Sequence, residues 1–285
     1  AIYEVVAEGA HVRKSQKSFN SEVGLPLTIL GCPNGWNNPL RWFQNLFDGL
    51  FLIFFPATYP TWLVLEVGAD RPGDIGSLAR WLPVDIAVIT RLPEVPVHVE
   101  FFDSMEAVVE EKASLINALK PSGTLLLYGD DPRTRALASR VHGQRIITFG
   151  MKEGVDVRAE QCTVLYEEKN SPTGGWPVGM SAHVSIDGVS LPVEMRGVLG
   201  MHALLPILAG AAVGKVLGKS LDTSIFALRN YQPPPGRMRL LSGVKHTLII
   251  DDTYNSSPAA ATAALEALMI LPKNKRKITI PLKHG

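Results

Sequence analysis

Two hydrophobic rhythms alternate along the chain. Short continuous apolar runs, 62–67, 85–90, 123–129 and 145–150, have the length and β-branched content of strands buried on both faces. Between them, apolar residues fall three and four apart. Residues 74–82 set Ile75, Leu78, Ala79 and Leu82 on one helical stripe. Residues 104–120 predict a helix with Ser104 as N-cap and Met105, Val108, Val109, Leu115 and Leu119 on its apolar faces. Residues 1–8 predict the tail of a helix, and 17–30 a polar loop followed by an apolar segment. Strand alternating with helix predicts an α/β fold with a mostly parallel sheet. From 154 to 198 the rhythm shortens to alternation, so a smaller antiparallel subregion is expected, interrupted by the Gly/Pro-rich "NSPTGGWPVG". Residues 202–219 form a small-residue helix, "YQPPPGR" (231–237) breaks like a linker, and 246–258 opens a further strand–loop–helix unit. The expected division is a central domain over 1–230 and the beginning of another, Rossmann-like, over 231–285.

Bulk properties narrow the functional classes. A length of 285 residues suits about two domains. With 46% apolar and 19% charged residues the chain can bury a core. A net charge of +1 without a basic block argues against nucleic acid or an anionic membrane as main partner. Cys32 and Cys162 lack metal-type spacing and fit structural thiols in a reducing cytosol. The most apolar run, 46–56, contains Asp48 and Gly49, stops at Pro56, and is too short to span a bilayer. With Trp42 and Phe43 before it, it predicts a buried helix or helix–strand piece; an exposed interaction surface is the alternative.

Ligands of parallel α/β sheets gather at the carboxyl ends of strands. Such ends here carry Glu66 and Asp70, Asp130 and Asp131, and Asp251 and Asp252, while the loop after 85–90 presents His98 and Glu100. Carboxylates and an imidazole on adjacent strand ends suit a divalent cation holding phosphate oxygens; Mg²⁺ takes few protein ligands and keeps its waters. The competing reading is solvated loops and helix caps, most directly for Asp130 and Asp131 before Pro132. Gly218-Lys219-Ser220 is not a phosphate loop, because Val213 stands where the first glycine belongs and no strand precedes it.

The segments "SFNSEVGLPLTIL" (18–30), "LVLEVGADRPGDI" (63–75), "HVEFFDSMEAVVEEK" (98–112), "YGDDPRT" (128–134) and "PPPGRMRLLSGVKHTLIIDDTYNSSP" (233–258) occur in the order of the Mur ligases. The chain resembles that family over nearly its whole length, and "DDTYNSSP" resembles the branch that adds D-alanyl-D-alanine. The resemblance implies the central ATPase domain plus the start of the third domain, with the N-terminal domain, the phosphate loop and most of the C-terminal domain outside the chain. It implies an ATP-dependent, cytoplasmic, monomeric amide ligase of peptidoglycan precursor synthesis, using ATP and Mg²⁺. Its substrates would be a UDP-MurNAc-peptide and D-Ala-D-Ala, joined through an acyl phosphate, without nucleic acid or membrane insertion. A Mur-like module without catalysis, or a sister amide ligase such as a folylpolyglutamate synthase, is the alternative.

By the same resemblance Glu66 and His98 are metal-site residues. Lys112 is the lysine whose carbamate helps hold a second Mg²⁺, so His98 and Lys112 are also the catalytic candidates. Without the resemblance Lys112 is a plain exposed helix lysine. Asn20 and Ser21 fall in a loop on the substrate and phosphate side; an ordinary capped turn is the other reading. Arg237 is implied to reach ATP phosphate, where an always-charged fork binds oxygens bidentately. Asp252 is implied to meet the ribose, and Tyr254 and Asn255 to flank the nucleotide or acceptor site. Departures from the family pattern are Tyr128 and Asp70, where asparagine is common, and "HALLP" (202–206), which lacks both asparagines of an adenine-holding element.

Overall fold

In a computed structural model, residues 1–16, 19–92, 101–167, 175–254, 258–272 and 277–279 are described. The chain opens with helix α1 (Ile2–Ala7), strand β1 (Val12–Lys14), α2 (Gly24–Leu30), α3 (Pro39–Phe54), β2 (Trp62–Val64), α4 (Asp74–Ala79) and β3 (Val84–Ile89). It continues with α5 (Met105–Ala113), β4 (Leu119–Tyr128), α6 (Pro132–Ala136), β5 (Arg145–Gly150), β6 (Val157–Glu167), β7 (Trp176–Ile186) and β8 (Val189–Arg196). Helices α7 (Leu205–Val216) and α8 (Leu221–Leu228), strands β9 (Arg239–Ser242) and β10 (Leu248–Asp251), and α9 (Pro258–Met269) complete it.

Six strands form one sheet in the order β3-β4-β5-β6-β7-β8. The pairs from β3 to β6 are parallel, and β6–β7 and β7–β8 are antiparallel. The expected antiparallel subregion is therefore continuous with the parallel part. Along β4 the pleat sends successive leucines to opposite layers. Leu126 joins the core under α1, α7 and α8, while Leu125 and Leu127 join the core with Ala113 and Ile116. Both faces are covered, which is why Leu125, Leu126 and Leu127 follow one another without a polar break. A separate parallel pair joins β1 to β2, and an antiparallel pair joins β9 to β10. The second pair is bound to the main body by Leu240 N–H to the Gly197 carbonyl at 2.8 Å and Leu199 N–H to the Met238 carbonyl at 3.0 Å.

Three expectations change. The helix expected over 104–120 ends as α-helix at Ala113, passes through a 3₁₀ turn at Ser114–Ala118, and becomes β4 at Leu119. The strand expected over 62–67 stops at Val64. The run 46–56 falls in α3 up to Phe54, and it is not buried: of that helix only Asn45 and Gly49 are enclosed. Asn38 caps α3 by accepting the Arg41 N–H at 3.2 Å, and Pro39 occupies its first turn. Asn45 Nδ2 donates to the Pro33 carbonyl at 2.8 Å, fixing that narrow stripe inward and the apolar side outward.

Candidate functional site

Two groups of residues collect the positions singled out from the sequence. The first lies beyond β2. Because that strand ends two residues earlier, Glu66 sits in an exposed loop rather than at the lip of a buried strand. Its backbone is nevertheless fixed: Glu66 N–H donates to Ser15 Oγ at 3.2 Å and Gly68 N–H to the Asn20 carbonyl at 3.0 Å. A Cβ at Gly68 would stand 2.8 Å from Asn20 Nδ2, so glycine here leaves room for the Asn20 amide to lie against the loop. The structure thus brings Asn20 to the Glu66 loop. Ser21 instead starts α2, its hydroxyl accepting the Gly24 N–H at 3.3 Å and its carbonyl the Leu25 N–H at 3.0 Å. The Glu66 carboxylate makes no hydrogen bond or ion pair among the described residues. One open carboxylate suits a cation that retains most of its water shell. No group of three His, Cys, Asp or Glu able to hold a metal exists among the described residues. His98, Glu100 and Asn255 lie outside them.

Lys112 on α5 is half-buried, not exposed, and burial pulls its ammonium below the ordinary lysine value. Its neighbour Glu111 is 8% exposed and was not singled out from the sequence. Glu111 accepts the Gly73 N–H at 2.7 Å, the Ile75 N–H at 2.6 Å and the Gly76 N–H at 3.2 Å. These are the otherwise unsatisfied donors at the start of α4. Gly73, the N-cap residue, has no side chain with which to take them. Asp74 organises the approach by accepting the Asp70 and Arg71 N–H groups at 3.0 and 2.8 Å. Helix α5, and with it Lys112, is therefore locked to the loop that begins at Glu66. A signal existed: Glu111 lies three residues after buried Val108, on the inward stripe.

Asp130 and Asp131 are structural. Asp130 accepts the Met151 and Lys152 N–H groups at 2.8 and 2.9 Å. Asp131 caps α6 and pairs with Arg133 at 2.9 Å, which holds its carboxyl below the ordinary value against the opposing effect of burial. Ser220 caps α8, and Lys219 Nζ donates to the Glu8 carbonyl, as expected of a Gly-Lys-Ser that is no phosphate loop.

The second group lines a cleft of about 260 Å³ that includes Arg91, His202, Tyr231, Arg237, Asp252 and Tyr254. The Arg237 guanidinium lies 4.2 Å from the Tyr254 ring centroid. Tyr254 N–H donates to the Gly236 carbonyl at 3.0 Å, and Met238 N–H donates to Asp252 Oδ1 at 3.2 Å. Gly236 has φ +72°, and a Cβ there would meet the Tyr254 nitrogen at 2.9 Å, so this close approach of two loops needs glycine. Burial raises the Asp252 carboxyl above its ordinary value and lowers the His202 imidazole below its own. Burial also raises the Tyr231 phenol. At neutral pH the cleft therefore offers a neutral imidazole, a phenol, a carboxylate and two guanidinium groups, that of Arg91 and that of Arg237 on an aromatic face. Of the residues singled out above, Arg237, Asp252 and Tyr254 line this cleft; Arg91 and Tyr231, which also line it, were not among them. His202 figured there only as part of an element lacking asparagines, whose Ala203 and Pro206 also line the cleft.

Across 279 residues the chain is 26% identical to the UDP-N-acetylmuramoyl-tripeptide–D-alanyl-D-alanine ligase of Bacillus subtilis, covering 98% of this chain and 51% of that protein. The enzyme of the same name from Mycobacterium tuberculosis is 30% identical over 254 residues, 88% of this chain and 42% of the relative. The chain thus spans about half the length of the curated relatives it matches. The crystal structure of MurF ligase from Thermotoga maritima in complex with ADP superimposes with a TM-score of 0.73 at 29% identity, covering 95% of this chain and 53% of that one. Residues 50–214, more than half of the chain, match the Mur ligase middle domain, and the chain belongs to the Mur ligase family.

Proposed function

We propose that this chain is the nucleotide-handling core of an ATP-dependent amide ligase of peptidoglycan precursor synthesis, acting in the cytoplasm. The reaction joins D-Ala-D-Ala to a UDP-MurNAc-peptide: ATP phosphorylates the peptide carboxylate, and the incoming amine displaces phosphate from the acyl phosphate. The observation that carries this reading is the Arg237–Tyr254–Asp252 cleft in a chain similar to an ADP-bound ligase. In the proposal Arg237 holds phosphate oxygens, Asp252 accepts hydrogen bonds from ribose hydroxyls, and the Tyr254 ring supports the guanidinium. His202, neutral through burial, faces the base side together with Ala203 and Pro206. Residue Asn255 is included by resemblance alone.

Glu66, His98 and Lys112 are proposed to hold Mg²⁺, which neutralises phosphate charge when bound. The exposed Glu66 carboxylate and the lowered Lys112 ammonium fit that role. A neutral lysine amine adds to CO₂, forming an N–C bond and releasing one proton, and the resulting carbamate is an oxygen ligand. Asn20, packed on Gly68, positions the Glu66 loop beside the reacting phosphate; Ser21 is proposed to support the same loop by fixing the start of α2. The division at residue 231 is kept as part of the proposal, with the cleft at the junction.

The test is phosphate release by the chain with UDP-MurNAc-tripeptide, D-Ala-D-Ala, ATP and Mg²⁺, alongside calorimetric titration of ADP. Saturable ADP binding lost in Arg237→Ala is expected. Absence of ADP binding by the folded chain overturns the nucleotide assignment and favours a Mur-like module without catalysis.

A further inference from the structure

Helix α3 is amphipathic in the inverted sense. Its enclosed stripe is Asn45 and Gly49, while Leu40, Phe43, Phe47, Leu50, Phe51 and Phe54 are between 43% and 74% exposed. At 3.6 residues per turn the exposed apolar side chains from Trp42 round to Phe51 cover about 180° of the helix circumference. Arg41, Gln44 and Asp48 lie outside that arc. With about 150–250 Å² available per aromatic side chain, the arc presents on the order of 1,000 Å² of apolar surface. That exceeds the largest patch of a typical monomer, about 300–600 Å².

We infer that this arc seats the protein peripherally on a lipid bilayer surface. Area alone also admits a second copy, since two such faces bury enough for a stable dimer. Width decides against it, because one helix packs against another along a stripe of about 100°, leaving the rest of this arc wet. Hydrogen bonding points the same way. Protein interfaces carry about one hydrogen bond per 100–200 Å². Here the arc's one polar side-chain atom, Trp42 Nε1, already donates to the Trp36 carbonyl at 3.0 Å. Hydrocarbon asks for neither a complementary groove nor polar partners. The flanks fit a headgroup layer: exposed Trp36 precedes the helix, and Tyr59 follows it with the Arg13 guanidinium 5.1 Å from its ring. Arg41 is the helix's one base, and Asp48, its one acid, points away from the arc. Arg13, half-buried beside Tyr59, leaves one positive charge on that flank toward acidic headgroups, while Arg41 lies on the polar side with Asp48. The helix is about 24 Å long, shorter than a hydrocarbon core of about 30 Å, so it lies on the membrane rather than across it. No helix among the described residues is long and apolar enough to cross a membrane.

The test is flotation of the 285-residue chain with vesicles of phosphatidylcholine, and of phosphatidylcholine with phosphatidylglycerol, with light scattering of the chain alone. The chain is expected to float with both, more with the anionic vesicles. Phe47→Glu/Leu50→Glu should lose at least tenfold in partitioning while keeping the circular dichroism melt and ADP binding of the parent, since both side chains are exposed. Gln44→Glu, on the polar side, should float like the parent. Failure of the parent to float overturns the inference. So does a dimer, abolished by the double substitution, that does not float; that result assigns the arc to a second copy.

Discussion

Replacing Glu111 tests whether the Glu66 loop and Lys112 are held together as described. The Glu111 carboxylate takes three backbone N–H groups at 2.7, 2.6 and 3.2 Å and is 8% exposed, so solvent screens it little. Hydrogen bonds to a charged group contribute about 1.5–3 kcal/mol each, and three sharing one carboxylate do not add in full. Glu111→Ala leaves the start of α4 without acceptors and should cost about 3 kcal/mol. Glu111→Gln keeps one oxygen toward Ile75 and Gly76 but turns an NH₂ group against the Gly73 N–H, or the reverse, and should cost about 2 kcal/mol. Urea unfolding reads this directly, as a lowered midpoint at constant m. Glu110 is the internal control. It is the adjacent acid on the same helix, but it points to solvent and pairs with Arg140, so Glu110→Gln should leave the midpoint where it was. A Glu111→Gln midpoint within about 0.5 kcal/mol of the parent would refute the claim that a side chain of α5 caps α4.

Three further outcomes follow from the two groups. Arg237→Lys should weaken ADP binding about tenfold and Arg237→Ala by more, measured by calorimetry, because an ammonium replaces neither the bidentate fork nor the stacking on Tyr254; equal affinities would remove Arg237 from the site. Burial raises the folded carboxyl of Asp252, so its contribution to stability is full below the ordinary value of 3.8 and lost as pH rises through the raised one. Asp252→Asn should therefore melt higher than the parent at pH 7, on the order of 1 °C, with the gap closing in acid, while ADP affinity falls; a lower melting point at pH 7 would contradict the burial argument. Burial lowers the Lys112 ammonium, so its neutral amine grows as pH rises through that lowered value. A carbamate signal from ¹³C-bicarbonate should then appear by NMR at mildly alkaline pH and vanish in Lys112→Arg; a signal unaffected by that substitution would place the carbamate elsewhere.

What the sequence disclosed and what it hid follow from one physical distinction. Periodicity reports whether a side chain prefers water, so the β3–β5 strands and α7 were legible: each carries an apolar run that only a covered layer satisfies. It does not report what covers a side chain. Phe47 and Leu50 read as core because apolar residues are usually enclosed, yet the α3 stripe that meets the protein is Asn45 and Gly49. Glu111 fails in the opposite direction. In "VVEEK" it is indistinguishable by residue type from Glu110, and only its place three residues after Val108 turns it inward to the bare amides of α4. Of the residues lining the cleft, Asp252 stood out from the sequence because it ends an apolar strand, whereas Arg237 and Tyr254 were singled out by the family resemblance. Tyr231 and His202 were hidden because their roles come from enclosure between segments far apart in sequence, which shifts both ring groups toward their neutral forms. Inverted helix, inward acid and neutral imidazole are all departures from the hydrophobic rule, and each lies beside a surface that the rule alone leaves blank.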